Sequence, residues 1–476
     1  MYVSSIEIIK QLNVSNRFDF IAKALSDASA RGQLRSLKTV RGYCDSKVTI
    51  DGSNEIERSA NTELNSEHQP DHNPEKNPEQ EIGATIHQHR LDLINLCSND
   101  YLRLSEHPQV ISESNKYTEM YGTGSTASRL VAGNWEYHEV LERQVASWLK
   151  FEAALVFSSG YQLNSTIIPA LSDRNTTLFY DKLNHNSLVQ GALASKGKLL
   201  RYKHLDYAHL ETLLAREDTQ SRKIIVTESV FSMDGDVANI RLLTEIARKY
   251  NAILIVDEAH AVGVFGEEGR GISAGVAGVD LLIGTFGKSF GSAGAFVACS
   301  EMMRDYLINF CAGFIFSTAP PPSVIGANIR SLEHIKSMSV EREYVQVLSN
   351  WVRDHLKRMG FDILRSESHI IPIVIGSEVS TLKLSEFLQR NGFLCQAIRP
   401  PTVEQGKSRL RITLNAKLTK EDMQRFLEVL QNYVSSEHDT ISGRIQICRL
   451  LFLPWVGFSA GHVEQYDQSG QNQITG

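Results

Sequence analysis

From about residue 90 to residue 435, short apolar runs alternate with stretches whose apolar positions recur at helical spacing. Ile224-Ile225-Val226 and Ile253-Leu254-Ile255-Val256 are the β-branched runs expected of strands buried on both faces of a parallel sheet. Between them, Ile240, Leu243, Ile246, Ala247 and Tyr250 fall on one helical face. Leu281-Leu282-Ile283 and Ala295-Phe296-Val297-Ala298 supply two further strands. This alternation predicts an α/β fold around a mostly parallel sheet, where ligands gather at the carboxyl ends of the strands. Beyond about residue 345 the pattern becomes a smaller α+β unit, with strands over 370–375, 393–398 and 410–414 and a helix over 382–388.

The flanks behave differently. Residues 1–49 form a mostly helical N-terminal segment, with Phe18, Ile21, Ala22 and Leu25 at helical spacing and basic residues from Arg31 to Arg41. Residues 50–84 are polar and acidic and bury too little apolar surface to offset their ordering entropy, so a flexible insertion is expected. A large domain over 85–344, a small C-terminal domain over 345–435 and a tail over 436–476 follow. The tail's apolar run, Leu450 to Val456, is too short to span a bilayer.

Composition narrows the function. A chain of 476 residues with 42% hydrophobic content builds a full core and more than one unit. Its net charge of −6, without a basic cluster, argues against nucleic acid or an anionic membrane as partner. The six cysteines, Cys44, Cys97, Cys299, Cys311, Cys395 and Cys448, are scattered, which predicts reduced thiols and no metal site. Glu7 and Lys10 interrupt the apolar N-terminus, so no signal peptide or membrane span is expected, and the protein is placed in the cytoplasm.

The chemistry is carried first by Lys288, in Gly287-Lys288-Ser289, which stands 31 residues after Asp257. Both follow apolar strands directly. A lysine so placed forms a Schiff base with an aldehyde, and an aspartate at a neighbouring strand end holds a pyridinium proton. The pair suggests pyridoxal phosphate (PLP). A surface lysine and a strand-end aspartate are the alternative for either motif alone. Ser158-Ser159-Gly160-Tyr161-Gln162 follows a strand and opens a helix, whose amides suit a phosphate, although such turns are common without any ligand. His185 can stack on the pyridine ring or be a capping or core histidine. His260, three residues after Asp257, can bond the phenolic oxygen. Thr285 suits the phosphate or a local turn.

Residues 90–435 resemble the α-oxoamine synthases of the fold-type I PLP enzymes. The resemblance runs through Ser98-Asn99-Asp100-Tyr101-Leu102, Gly122 to Leu130, His138, Glu142, Ser159-Gly160-Tyr161, His185, Ser232-Met233-Asp234-Gly235, Asp257 to His260 and Thr285 to Lys288. It implies a PLP-dependent transferase fold with a mostly parallel seven-stranded sheet. It also implies Lys288 as the Schiff-base lysine, Asp257 as the ring-nitrogen partner, and His185 as the stacking residue; the chemistry of these groups further suits Lys288 to proton transfer and His185 to polarising the thioester carbonyl. Ser232 and His260 then serve the phenolic oxygen, and Ser159, Gly160, Tyr161 and Thr285 the phosphate. Phe316-Ser317-Thr318 is similar to the segment that reaches the neighbouring subunit's phosphate, which implies a homodimer.

Substrate choice rests on Arg399-Pro400-Pro401-Thr402-Val403. This wording is most similar to the biotin-pathway members, which join L-alanine to a pimeloyl thioester of CoA or a carrier protein with loss of carbon dioxide. By resemblance Arg411 anchors the amino-acid carboxylate, with Arg399, Thr402 and Asn99 as further substrate-binding residues. A planar guanidinium suits a carboxylate through paired hydrogen bonds. Arg409 is expected to be a solvated strand arginine. Related readings are an enzyme making another amino ketone, such as a signal molecule or sphingoid base precursor, and a non-catalytic partner subunit, against which Lys288 argues.

Overall fold

The computed structural model describes residues 16–44, 46–51 and 90–436. A helix over Asp19–Ala30 leads into β1 (Val40–Cys44) and β2 (Lys47–Asp51), an antiparallel hairpin, and β2 pairs with β3 (Arg90–Asn95). Among its described residues the N-terminal segment is therefore less helical than its spacing suggested, and the hairpin ends inside the expected insertion. Val48 and Ile50 alternate inward against Leu93, which holds the hairpin as sheet despite its polar surroundings. Residues 52–84 of the insertion expected over 50–84, and residues 437–476 of the expected tail, lie outside the described residues.

Seven strands form the large unit: β4 (Ala153–Phe157), β5 (Thr176–Asp181), β6 (Lys198–Tyr202), β7 (Arg222–Glu228), β8 (Ala252–Asp257), β9 (Leu281–Thr285) and β10 (Ala295–Cys299). Their order is β4-β10-β9-β8-β7-β5-β6, and only β10 runs against its neighbours. Leu254, Ile255 and Val256 are fully buried, as strands covered on both faces must be. The helix over Ile240–Lys249 makes the crossover from β7 to β8 and buries Ile240, Leu243, Ile246 and Ala247. Asn239 caps it by accepting from the Leu242 amide at 3.1 Å.

The smaller unit contains β11 (Ile370–Gly376), β12 (Phe393–Leu394), β13 (Ala397–Ile398) and β14 (Ser408–Thr413). The single strand expected over 393–398 is two. β12 pairs with β3, whereas β13 joins β14. The break falls where the Gln396 amide donates to Cys97 Sγ at 3.1 Å instead of continuing a ladder. The expected boundary at 344/345 falls within a helix over Ser339–Arg358. Its Val345 packs with Tyr101 and Val264, while Leu348, Val352 and Leu356 belong to the small unit's core. One helix thus ties the two units together.

A polar clamp fixes the loop after β7. His204 Nδ1 lies 2.7 Å from Asp181 Oδ1 at the end of β5, and its Nε2 lies 2.5 Å from Asp236 Oδ2. Both ring nitrogens must donate, which requires the imidazolium. Burial opposes that charge, but the two carboxylates outweigh it and raise the pKa to about 10. Since this lies above the ordinary 6.5, the clamp contributes fully at lower pH and fades as pH rises through about 10. His204→Gln should therefore lower the melting temperature near neutral pH, with the deficit closing in alkali. A deficit that stays constant through that range would show that the ring's charge does not hold the loop.

Candidate active site

The strand ends bring the chemistry together. β7 and β8 run parallel with Glu228 opposite Asp257, and Asp257 lies opposite Ile283 of β9, five residues before Lys288. Asp257 Oδ1 accepts from the Ala259 amide at 2.9 Å, and Oδ2 accepts from Asn164 Nδ2 at 2.8 Å. Both oxygens are thereby oriented. Lys288 Nζ lies 2.7 Å from His260 Nε2, and His260 Nδ1 lies 2.6 Å from Tyr101 Oη. Burial lowers the Lys288 pKa to about 8, against the pull of Asp257 and Glu228. Burial, followed by the charges of Lys288 and Arg411, holds His260 well below its ordinary range.

At the expected phosphate end, Ser159 Oγ caps the helix over Gly160–Leu171 by accepting from the Gln162 amide at 3.1 Å. Gln162 Nε2 reaches Ser317 Oγ at 2.5 Å, and Ser158 Oγ donates to the Thr318 carbonyl at 3.3 Å, so these segments meet within one chain. Gly160 faces Thr285, since a Cβ there would lie 3.9 Å from the threonine side chain. Thr285 Oγ donates to the Gly294 carbonyl at 3.0 Å and accepts from the Gly287 amide at 3.1 Å, a turn role at the same place. Tyr161 is exposed, with Oη donating to Asn186 at 3.2 Å.

Of the two roles its sequence allowed, His185 takes the capping one. Its Nδ1 accepts from the Ser187 amide at 3.2 Å, capping the helix over Asn186–Ala194, and this fixes an exposed imidazole beside Asp257 and Lys288. Ser232 contributes through its backbone: the amide donates to Glu228 at 3.3 Å and the carbonyl accepts from Arg411 Nε at 2.6 Å. Arg411 also donates to Thr413 Oγ at 3.0 Å and approaches Asn99 Oδ1 at 3.4 Å. Arg411 and Asn99 therefore join the lysine site. Arg399 and Thr402 meet the N-terminal segment instead. Arg399 donates to the Gly32 carbonyl, and Thr402 accepts from Arg35 at 3.2 Å. Arg409 is not solvated: it is buried and ion-paired with Asp234, because its side of β14 faces the loop after β7.

Sequence reasoning missed Glu228, Tyr101, Asn164 and His369. Glu228 is buried and accepts from the His185 amide at 2.5 Å. Burial, then the Asp257 charge, pushes its pKa up to about 8. Its signal was available, since it ends an apolar strand as Asp257 does. His369 is fully buried with its ring 4.0 Å from that of Tyr101, and nothing in its local sequence marks this.

These residues fit PLP. The donor set offers an amine of lowered pKa, a carboxylate held by two donors, an exposed imidazole and a capped helix N-terminus beside Gly160.

Comparison with known proteins supports the same chemistry. The family model for aminotransferase class I and II matches residues 91–430. An 8-amino-7-oxononanoate synthase of Geobacter metallireducens is 42% identical over 340 residues, covering 70% of this chain and 87% of that one. The solved 8-amino-7-oxononanoate synthase of Francisella tularensis is 28% identical with a TM-score of 0.64, over 73% of this chain and 99% of its own. A serine palmitoyltransferase from S. paucimobilis, solved with bound PLP, shares the fold at a TM-score of 0.76 and 23% identity, over 89% of this chain and 99% of that one.

The lowered amine is directly measurable. In full-length protein freed of PLP, the pH dependence of Lys288 acetylation should give a pKa near 8, and Asp257→Asn should lower it further, because Asp257 pulls it upward. A lysine titrating near its ordinary 10.5 would contradict this geometry.

Proposed function

This chain belongs to the aminotransferase class I and II family, and on that premise we propose that it condenses L-alanine with a pimeloyl thioester. The products are 8-amino-7-oxononanoate, carbon dioxide and the free thiol, a step of biotin biosynthesis. The protein is a PLP-dependent acyltransferase. The observation that carries the reading is the meeting of Arg411, a carboxylate-binding group, with the amine of Lys288 in one buried site, linked through Asn99, Tyr101 and His260.

PLP supplies the electron sink for negative charge at the amino acid's Cα. Arg411 holds the alanine carboxylate through the guanidinium edge now turned to Asn99. That fixes the Cα–H bond toward Lys288. Lys288 Nζ takes the proton, its burial favouring the neutral amine. Asp257, with both carboxylate oxygens restrained, would hold the proton of the cofactor's ring nitrogen. His185 would hold one face of the cofactor ring and would donate to the thioester carbonyl oxygen as the alanine Cα attacks the carbonyl carbon and the thiolate leaves. After carbon dioxide leaves, Lys288 returns a proton to the same carbon.

The thiol is that of CoA or a carrier protein. A homodimer completes the reading. Phe316 beside Ser317 is 84% exposed and Val131 is 81% exposed, which suits a covering second subunit. The described cysteines Cys97, Cys299, Cys311 and Cys395 are free thiols, in keeping with a cytoplasmic enzyme. Among the described residues no helix is long and apolar enough to cross a membrane.

Purified protein given L-alanine and pimeloyl-CoA should release thiol, with glycine and L-serine as poor replacements. Lys288→Ala should abolish release. Arg411→Ala should raise the alanine requirement roughly a hundredfold, the worth of a charge-assisted pair in a desolvated site. Turnover with glycine or serine but not alanine would overturn the substrate assignment.

A further inference from the structure

Five side chains form one continuous polar chain on the buried side of the site. Arg411 Nη1 and Nη2 each lie 3.4 Å from Asn99 Oδ1. Tyr101 Oη is 3.2 Å from that same oxygen and 2.6 Å from His260 Nδ1. His260 Nε2 is 2.7 Å from Lys288 Nζ. Tyr101 is 0% exposed and walled by Val264, Val345 and the edge of His369, so its hydroxyl chooses between two acceptors.

A phenol has one proton to give. When Oη donates to His260 Nδ1, the imidazole proton sits on Nε2 and points at Lys288, whose lone pair must accept it. When Oη donates to Asn99 Oδ1, Nδ1–H donates back to Oη and Nε2 accepts from Nζ–H. The lysine's lone pair is then free. Arg411 competes with Tyr101 for the Asn99 oxygen. A carboxylate on Arg411 forms a stronger, charge-assisted pair than the long contact to a neutral amide, and draws the guanidinium away.

We propose that the Tyr101 hydroxyl couples occupancy of the Arg411 carboxylate site to the availability of the Lys288 lone pair, through Asn99 and His260. Tyr101 reaches the reacting atoms only through those neighbours, so it is a positioning residue. The proposal rests on the roles given above to Arg411 and Lys288, and is independent of the thioester used. The other charged or titratable groups facing this chain are Asp257 and Glu228, which raise the lysine's pKa, and His185 and His369, which help to depress that of His260. Because burial holds His260 well below its ordinary range, the ring stays neutral and the choice between its two tautomers persists.

Propionate carries the carboxylate and carbon frame of alanine without its amine, and is the probe. In full-length protein freed of PLP, the pH dependence of Lys288 acetylation by acetic anhydride, read by peptide mass spectrometry, gives the amine's pKa. Saturating propionate should raise it in the wild type, in part because the carboxylate offsets the charge of Arg411. In Tyr101→Phe only that direct part remains, so the rise should be smaller by about one pH unit, a tenfold difference in proton affinity. Asn99→Ala removes the hydroxyl's second acceptor and leaves on that side only its direct hydrogen bond with Arg411, so it should diminish the response in the same direction, which preserves the test if Phe at 101 impairs folding. In the PLP-loaded enzyme, Tyr101→Phe should bind alanine within about twofold of wild type by spectral titration, while slowing exchange of its α-proton about tenfold. Equal propionate responses in the wild type and both variants would overturn the coupling. Loss of the condensation reaction with those responses intact would instead overturn the functional reading alone.

Discussion

Burial of the Lys288 amine beside two carboxyl groups is the constraint on which the site depends. Removing an ammonium from water favours its neutral form, and Asp257 and Glu228 pull in the opposite direction; the balance leaves a pKa of about 8. The parallel register of β7 and β8 sets both carboxyl groups side by side, and β9 delivers the lysine to them. Glu228 answers the same crowding: burial, then the Asp257 charge, pushes its pKa up to about 8, and its pull on the lysine comes second to that of Asp257. A base that works near neutral pH is thus a property of strand register as much as of residue type.

The Arg411 side of the site is assembled through the turn after β7. Arg411 donates to the Ser232 carbonyl at 2.6 Å, Arg409 pairs with Asp234, and Asp236 meets the His204 imidazolium at 2.5 Å. Gly235 has φ +70, and a Cβ there would run into the Ile370 carbonyl, so only glycine lets this turn sit against β11. The small unit's β14 is held to the large unit by the same few residues that orient Arg411. The surroundings of Arg411 and the junction between the units are one structure.

Much of this was legible in the chain. Lys288, Asp257 and the helix cap at Ser159 are local: each follows an apolar strand, and a sheet of this type puts such positions at its ligand-binding edge. What escaped depends on contacts remote in sequence. Arg409 and Arg411 alternate onto one side of β14, but nothing in the chain shows that Asp234 waits opposite Arg409. Tyr101 and His260 are 159 residues apart, and no spacing rule joins them. The hairpin of β1 and β2 was hidden because its two inward residues, Val48 and Ile50, sit in a polar stretch and find their partner Leu93 only after a long detour.

The central claim, that Lys288 is the residue joined to PLP, is tested most directly by borohydride reduction of the holoenzyme followed by peptide mapping. Reduction makes the bond between cofactor and lysine permanent. The account predicts that the pyridoxyl label appears on the peptide containing Lys288 and on no other, and that adding L-alanine before the reductant removes it from that peptide. Label on a different lysine, or label at Lys288 that alanine does not displace, would contradict it.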